Sequence, residues 1–145
     1  SRCLTNSVVW LVENHMSLPI LSHKAVVKWL KKRAAVFSCR REMEEAVGRL
    51  LALCRADVSA GKVNPNPEGI DILAELFAVV LNQVPFYHGD LAISGKEVAD
   101  RLGSGPQVSR FLDNLLERIQ GGELANDYEE LKAALENKVR RTFLS

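Results

Sequence analysis

The sequence predicts an all-α protein of about seven helices, arranged in two packed helical subdomains without an internal repeat. Apolar residues recur at the three- and four-residue spacing of helix faces through most of the 145 residues, and no segment shows the alternating pattern of a half-buried strand. Residues that begin or end helices separate these periodic segments. Hydrophobic residues make up 47% of the chain, which is enough to form a core at this length.

The first four predicted helices occupy residues 1–83. Ser22 is a suitable N-cap for the second helix and Ser38 for the third. The segment 62–67 is expected to be a loop between the third and fourth helices, because its two prolines cannot continue a helix. The expected inward-facing residues of the four helices are, in order, Leu4, Val8, Leu11, Val12 and His15; Val26, Val27, Leu30 and Ala34; Met43, Val47, Leu50, Leu51, Cys54 and Val58; and Ile70, Leu73, Leu76, Phe77 and Val80.

The last three predicted helices occupy residues 84–145 and are short and sharply bounded. The segment 84–90 has a different composition from its surroundings and is expected to be the boundary between the two subdomains. The sixth helix should end at Gln120, before two glycines. The three helix starts are marked by two capping boxes and by one Gly-Pro step, namely Ser94 with Glu97, Asn126 with Glu129, and Gly105 with Pro106.

Basic residues are concentrated in one segment of the chain. Residues 24–41 contain seven Lys or Arg and no Asp or Glu, so the rest of the chain carries a formal charge of −6 although the whole has +1. Lys24, Lys28, Lys31 and Lys32 fall mostly on one side of a predicted helix whose other side is apolar. Such a row suits contacts to phosphates, and an ordinary solvated helix face is the alternative interpretation.

Aromatic residues account for only 6% of the chain and do not interleave with the basic ones. Stacking of bases on an exposed aromatic platform is therefore not expected. Any RNA contact of this protein should therefore read the backbone and shape of the RNA, which suits a double-helical arm better than a single strand.

Several classes of catalytic or metal site are not predicted. The histidines lack the His, His-Asp and Asp arrangement of HD-type phosphohydrolases, and there is no GxSxG elbow or Walker A loop. Cys3, Cys39 and Cys54 lack CxxC spacing, which argues against zinc and disulfides and favours a reducing, cytoplasmic location. No apolar run approaches the ~20 residues of a membrane span, so no membrane association is expected.

The turn at residues 103–106 is the one glycine-rich loop that leads into a helix. Backbone amides at such a helix start can bind a phosphate oxygen. A tight turn between two helices also needs glycines for conformational reasons. Spacing alone leaves both interpretations open.

A series of short motifs runs through residues 85–136. They are DLAISGKEV at 90–98, GPQV at 105–108, apolar positions from 112 to 119, and GGELAN at 121–126, with Leu131 later. Their order and spacing resemble the ISGK(D/E)…GP.V…L…I..G.(I/L).N…L pattern in the tail of bacterial class II tRNA nucleotidyltransferases, the CCA-adding enzymes and related poly(A) polymerases. Upstream, WLVENHM at 10–16 and LALCRAD at 51–57 resemble segments of that family's helical body. Ser109 departs from the pattern, which often has Gly there.

The resemblance implies a body-like subdomain at 1–83 and a tail-like subdomain at 84–145 that together hold the acceptor and T arms of tRNA or another RNA 3′ end. In that family an N-terminal catalytic head, with two metal-binding carboxylates, adds nucleotides from a nucleoside triphosphate with Mg²⁺. No such head lies within these residues, so we expect the sequence to be the C-terminal part of a longer enzyme. No catalytic residue, metal ligand or cofactor is expected within it.

The residues expected to contact RNA come from charge and from position in the motifs. The alternative function is a helical protein-interaction module whose basic helix docks on an acidic partner, and a degenerate metal hydrolase is a further alternative. Whether the parent enzyme adds A, CC, CCA or poly(A) is not indicated. The expected RNA-binding residues are Lys28, Lys31, Lys32, Arg40 and Arg41 in the body-like part, and Lys96, Arg101, Gly105, Gln107 and Arg110 in the tail-like part.

Overall fold

A computed structural model of the protein describes residues 9–15, 17–59 and 67–144. Within these residues it has seven α-helices and no strand, which confirms the predicted all-α class. No helix among them is long and apolar enough to cross a membrane. The helices are α1 (described from residue 9 to residue 14), α2 (His23–Arg33), α3 (Arg40–Ser59), α4 (Pro67–Gln83), α5 (Gly95–Leu102), α6 (Pro106–Gln120) and α7 (Tyr128–Leu144), with 3-10 turns at Ala34–Val36 and His88–Asp90.

The chain divides into two compact units, residues 1–83 (unit 1) and residues 84–145 (unit 2). In unit 1 the buried stripes of α2, α3 and α4 pack together, and Leu30, Leu50 and Leu73 are completely inaccessible to solvent. Nearly all the predicted inward positions of these three helices are buried, because their apolar residues follow the helical repeat without interruption. Val58 lies outside the residues whose side chains are described.

The predicted inward face of the first helix is only partly right. Leu11 and His15 are half-buried, but Val12 is 57% exposed, and the buried residues are Trp10 and Asn14. The Trp10 ring packs edge-on against Trp29, with 6.3 Å between ring centroids. Burial of this large indole therefore decides which face of the helix is buried. Leu4 and Val8 are also predicted to face inward, and they lie outside the described residues.

The helix boundaries of unit 1 agree with some of the sequence signals and not with others. Ser22 caps α2 as predicted, since its hydroxyl accepts from the backbone N–H of Ala25 at 3.1 Å. Ser38 does not cap α3, which begins two residues later; its own N–H donates to the Glu42 carboxylate at 2.9 Å. Pro67, which the sequence predicts to lie in a loop, is the first residue of α4, where its missing N–H costs nothing. Residues 62–66 lie outside the described part of the chain.

Unit 2 has its own core, formed mainly by α6 and α7 with the loop before α5. α6 starts and ends where the sequence predicted. Ser94 caps α5 by accepting from the Glu97 N–H at 3.1 Å. The reciprocal half of this capping box is absent, because the Glu97 carboxylate accepts hydrogen bonds from Tyr128 and Lys132 on α7 instead. The core residues are Leu91, Ile93, Val98, Phe111, Leu112, Leu115, Leu116, Ile119, Leu131, Leu135 and Val139.

The second predicted capping box does not form. α7 is capped by Asp127, whose carboxylate accepts from the Glu130 N–H at 3.2 Å. Asn126 reaches back to the loop before α5, where its side-chain oxygen accepts from the Ala92 N–H at 2.8 Å and its amide donates to the Asp90 carbonyl at 2.9 Å. The Ala92 N–H and the Asp90 carbonyl lie in a loop, where no helical backbone group pairs with them. The Asn126 side chain forms a hydrogen bond with each.

Replacement of Asn126 by Ala should destabilise the protein by about 1–2 kcal/mol, because it removes two hydrogen bonds from the 90–92 loop. Urea-induced unfolding followed by circular dichroism measures the change. Asn126→Asp keeps the acceptor for the Ala92 N–H but sets a carboxylate oxygen against the Asp90 carbonyl, so it should destabilise the protein as well. An unchanged midpoint for Asn126→Ala would show that the bridge contributes no net stability.

Candidate nucleic-acid interface

The lysines of α2 occupy the side of the helix that faces away from the core of unit 1. We call this surface the α2 lysine face and define it as Lys24, Lys28, Lys31 and Lys32, all of which are exposed. The opposite side of α2 holds Val26, Val27, Trp29 and Leu30, all buried. α2 itself contains no acidic residue, so no carboxylate within the helix neutralises the face.

Arg33 belongs to the basic segment in sequence but not to the α2 lysine face. It follows Trp29 by one helical turn, and its guanidinium lies 3.9 Å from the Trp29 ring centroid. Its Nε donates to the Asn14 side-chain oxygen at 2.6 Å, and Asn14 donates to the Trp10 carbonyl. Partial burial lowers the pKa of Arg33. These contacts, together with the Trp29 indole N–H donating to the Ser17 carbonyl, hold α2 against α1.

Arg40 and Arg41, two of the residues expected to contact RNA, lie in the first turn of α3 and are engaged by acidic residues one turn later. The Arg40 Nε donates to the Glu44 carboxylate at 2.9 Å, and the Arg41 Nε lies 3.7 Å from a carboxylate oxygen of Glu45. Arg41 remains largely exposed, whereas Arg40 is half-buried. Exposed pairs of this kind are weak, so they compete with a phosphate without excluding it.

The turn between α5 and α6 contains two further expected contacts, Gly105 and Gln107. Gly103 and Gly105 have φ angles of +86° and +130°, conformations that other residues rarely adopt. The Gln107 amide donates to the carbonyls of Ser104 at 2.8 Å and Gly103 at 3.0 Å. A Cβ at position 105 would lie only 2.8 Å from the Gln107 side-chain oxygen. The glycines and Gln107 thus have a structural role in closing the turn.

The cations of unit 2 differ in how far they are paired. Arg101 forms a two-pronged pair with Glu136, with N–O distances of 3.0 and 2.6 Å. The hydrogen bonds and charge of this pair raise the pKa of Arg101 and lower the pKa of Glu136. Lys96 and Arg110 are exposed and form no ion pair within the described residues.

Glu97 joins α5 to α7 next to the Arg101 pair. Its Oε1 accepts from the Tyr128 hydroxyl at 2.5 Å and from the Lys132 ammonium at 3.0 Å. These hydrogen bonds lower the pKa of Glu97 and raise the pKa values of Tyr128 and Lys132. Lys132 and Arg101 are therefore occupied at the α5–α7 contact.

An open cleft between α6 and α7 brings the expected contact Arg110 together with three basic residues that were not expected to contact RNA. Arg110 lies in this cleft with Arg118 from α6 and with Lys138 and Arg141 from α7. Periodicity alone could have indicated that Arg110 and Arg118 share a face of α6, but their proximity to α7 depends on tertiary packing.

The described residues contain no cluster of three His, Cys, Asp or Glu side chains suited to a metal ion. His15 lies 3.9 Å from Asp57, and His88 lies 2.6 Å from Asp113, so each of these two histidines lies next to one carboxylate. Burial, followed by the charge of Asp57, raises the pKa of the Cys54 thiol, which keeps this thiol protonated at neutral pH.

Comparisons with protein-family models, with curated proteins and with solved structures found no match to this chain.

Proposed function

We propose that this protein binds RNA through the phosphate backbone and that the α2 lysine face is its main contact surface in unit 1. The observation that carries the proposal is the separation of faces on α2. Four exposed lysines lie on one side, and a buried apolar side fixes the helix to the core. The core contacts hold the α2 backbone in place before RNA binds. Binding therefore has to order only the lysine side chains.

A helical RNA arm suits this surface better than a single strand. Trp29, the aromatic residue of α2, is buried and packs edge-on against Phe77 with 5.5 Å between ring centroids. It offers no surface on which a base could stack, and the neighbouring exposed side chains are lysines. Lysine recognises phosphate as a point charge and carries no base-specific fork of donors.

In the proposed setting, the chain is the RNA-holding C-terminal part of a template-independent RNA nucleotidyltransferase of the CCA-adding or poly(A) polymerase type. The resemblance of residues 85–136 to that family's tail supports this setting. The catalytic carboxylates, Mg²⁺ and the nucleoside triphosphate would belong to a head outside these residues. Lys96 and Arg110, which are exposed in unit 2, are the proposed contacts of the tail-like part with RNA.

The experiment that tests the proposal compares binding of a tRNA transcript and of a single-stranded RNA of matched length over a range of salt concentrations. We expect tighter binding of tRNA, with log K falling against log salt. The α2 lysines should contribute roughly −3 to −4 to the slope if each meets one phosphate, and contacts in unit 2 should make it steeper. Affinity that does not change with salt would contradict phosphate contacts. A preference for the single strand would contradict shape recognition, and binding of an acidic protein without RNA binding would favour the interaction-module alternative.

A further inference from the structure

The cleft between α6 and α7 is a second basic surface, separate from α2 and located entirely in unit 2. Its volume is about 540 Å³, and it is open to solvent. Its lining combines two apolar residues, Phe111 and Ala134, with polar and basic residues from both helices. This volume falls within the range of sites for small ligands, so the cleft fits a segment of a polymer backbone and not a protein helix.

Both helices present a regular row of residues to the cleft. Arg110, Asn114 and Arg118 follow one another at intervals of four residues along α6, which places them on one face. Arg110 and Arg118 are therefore separated by roughly 12 Å along the helix axis. This distance exceeds the size of a single phosphate and indicates an elongated ligand. On α7, Asn137, Lys138 and Arg141 line the other wall.

The charge of the cleft is not neutralised. Arg110, Lys138 and Arg141 make no ion pair within the described residues, and no Asp or Glu lines the cleft. Arg118 is the partial exception, since its Nε lies 3.2 Å from the Glu123 carboxylate. Arg101 and Lys132, at the α5–α7 contact, differ from this group because they already donate hydrogen bonds to Glu136 and Glu97.

We propose that the α6–α7 cleft is a second phosphate-binding site that holds successive phosphates of an RNA strand. The choice of RNA as the source of these phosphates rests on the proposed function. Arginines provide paired donors for phosphate oxygens. Asn114 and Asn137 provide amide groups that can both donate to and accept from ribose hydroxyls.

The test uses the full chain and compares two double variants that remove the same charge. Lys138→Gln with Arg141→Gln changes the cleft, and Arg49→Gln with Arg140→Gln changes exposed arginines outside it. The cleft variant should bind a tRNA transcript roughly tenfold more weakly at about 0.1 M salt, with a salt slope less steep by about two units. The control variant should stay within about twofold of the unsubstituted protein, and circular dichroism should show both variants folded.

The outcomes distinguish this inference from the proposed function. If the unsubstituted protein binds tRNA and the cleft variant binds as the control does, the cleft inference is overturned and the proposed function stands. If the unsubstituted protein does not bind tRNA, the proposed function and the assignment of RNA to the cleft both fail.

Inorganic tripolyphosphate tests the source of the phosphates, because it offers phosphoryl groups without a ribose backbone. We expect it to displace tRNA only at concentrations far above that of tRNA. Displacement at comparable concentration, lost in the cleft variant, would show a site for free polyphosphate and would overturn the RNA assignment.

Discussion

A K28E/K32E variant is expected to lose most RNA binding, with an increase in Kd of roughly 30- to 100-fold at about 0.1 M salt. Both lysines are exposed and lie one helical turn apart on the α2 lysine face. The substitutions remove two phosphate contacts and place two negative charges against the RNA backbone, so repulsion adds to the lost attraction. Titration of a tRNA transcript, measured by fluorescence anisotropy, gives the change.

Two further variants separate the local effect from net charge and from helix stability. R49E/R140E reverses the same number of charges outside the proposed surfaces and should weaken binding far less. K28Q/K32Q removes the lysines without placing acidic residues in the second half of α2, where they oppose the helix dipole by about 0.3–1 kcal/mol. If K28E/K32E binds no more weakly than R49E/R140E, the lysines are an ordinary solvated helix face.

A Phe77→Ala variant is expected to lose about 3–5 kcal/mol of the free energy of unfolding of unit 1. Phe77 is 1% exposed, lies in α4, and packs edge-on against Trp29 of α2. Its truncation leaves a cavity beneath α2 and removes an aromatic pair as well as apolar contact. The helix that presents the lysines therefore loses part of its support, and RNA affinity should fall with stability.

Urea-induced unfolding followed by tryptophan fluorescence measures this loss, because both tryptophans, Trp10 and Trp29, belong to unit 1. Val79→Ala changes a 43% exposed position of the same helix and should cost well under 1 kcal/mol. Phe77→Leu retains more of the buried volume and should lie between the two. Equal midpoints for Phe77→Ala and Val79→Ala would contradict the packing of Phe77 at the centre of unit 1.

The fold class could be predicted from the sequence because long helices with an uninterrupted apolar repeat specify both their type and their buried face. α4 is an example, with Leu73, Phe77 and Val80 buried as predicted. In the first helix the apolar repeat did not identify the buried face, because tertiary packing of Trp10 buries that indole and leaves Val12 exposed. Capping signals located α5 and α6 correctly, but the sequence could not show that Asn126 bonds a distant loop and leaves the cap to Asp127.

The candidate site was harder to predict, because a run of charges in sequence is not a continuous surface. Arg33 turns toward Trp29, and the acidic residues that engage Arg40 and Arg41 follow them immediately in α3. The i to i+4 spacing of these pairs was visible in the sequence and is the signal that identifies them. The α6–α7 cleft combines residues about thirty positions apart, so no local pattern indicates it.

The contact between α5 and α7 makes unit 2 sensitive to proton uptake. Glu97 and Glu136 have lowered pKa values in the folded protein, so both carboxylates bind protons more readily once the two helices separate. Their contribution to stability is complete above the ordinary glutamate range and disappears as the pH falls through the lowered values. The raised pKa values of Lys132 and Arg101 contribute below their ordinary range and are lost only in strong alkali. Acid thus loosens one edge of α7 by proton binding, while the apolar contacts of its other residues with α6 carry no such dependence.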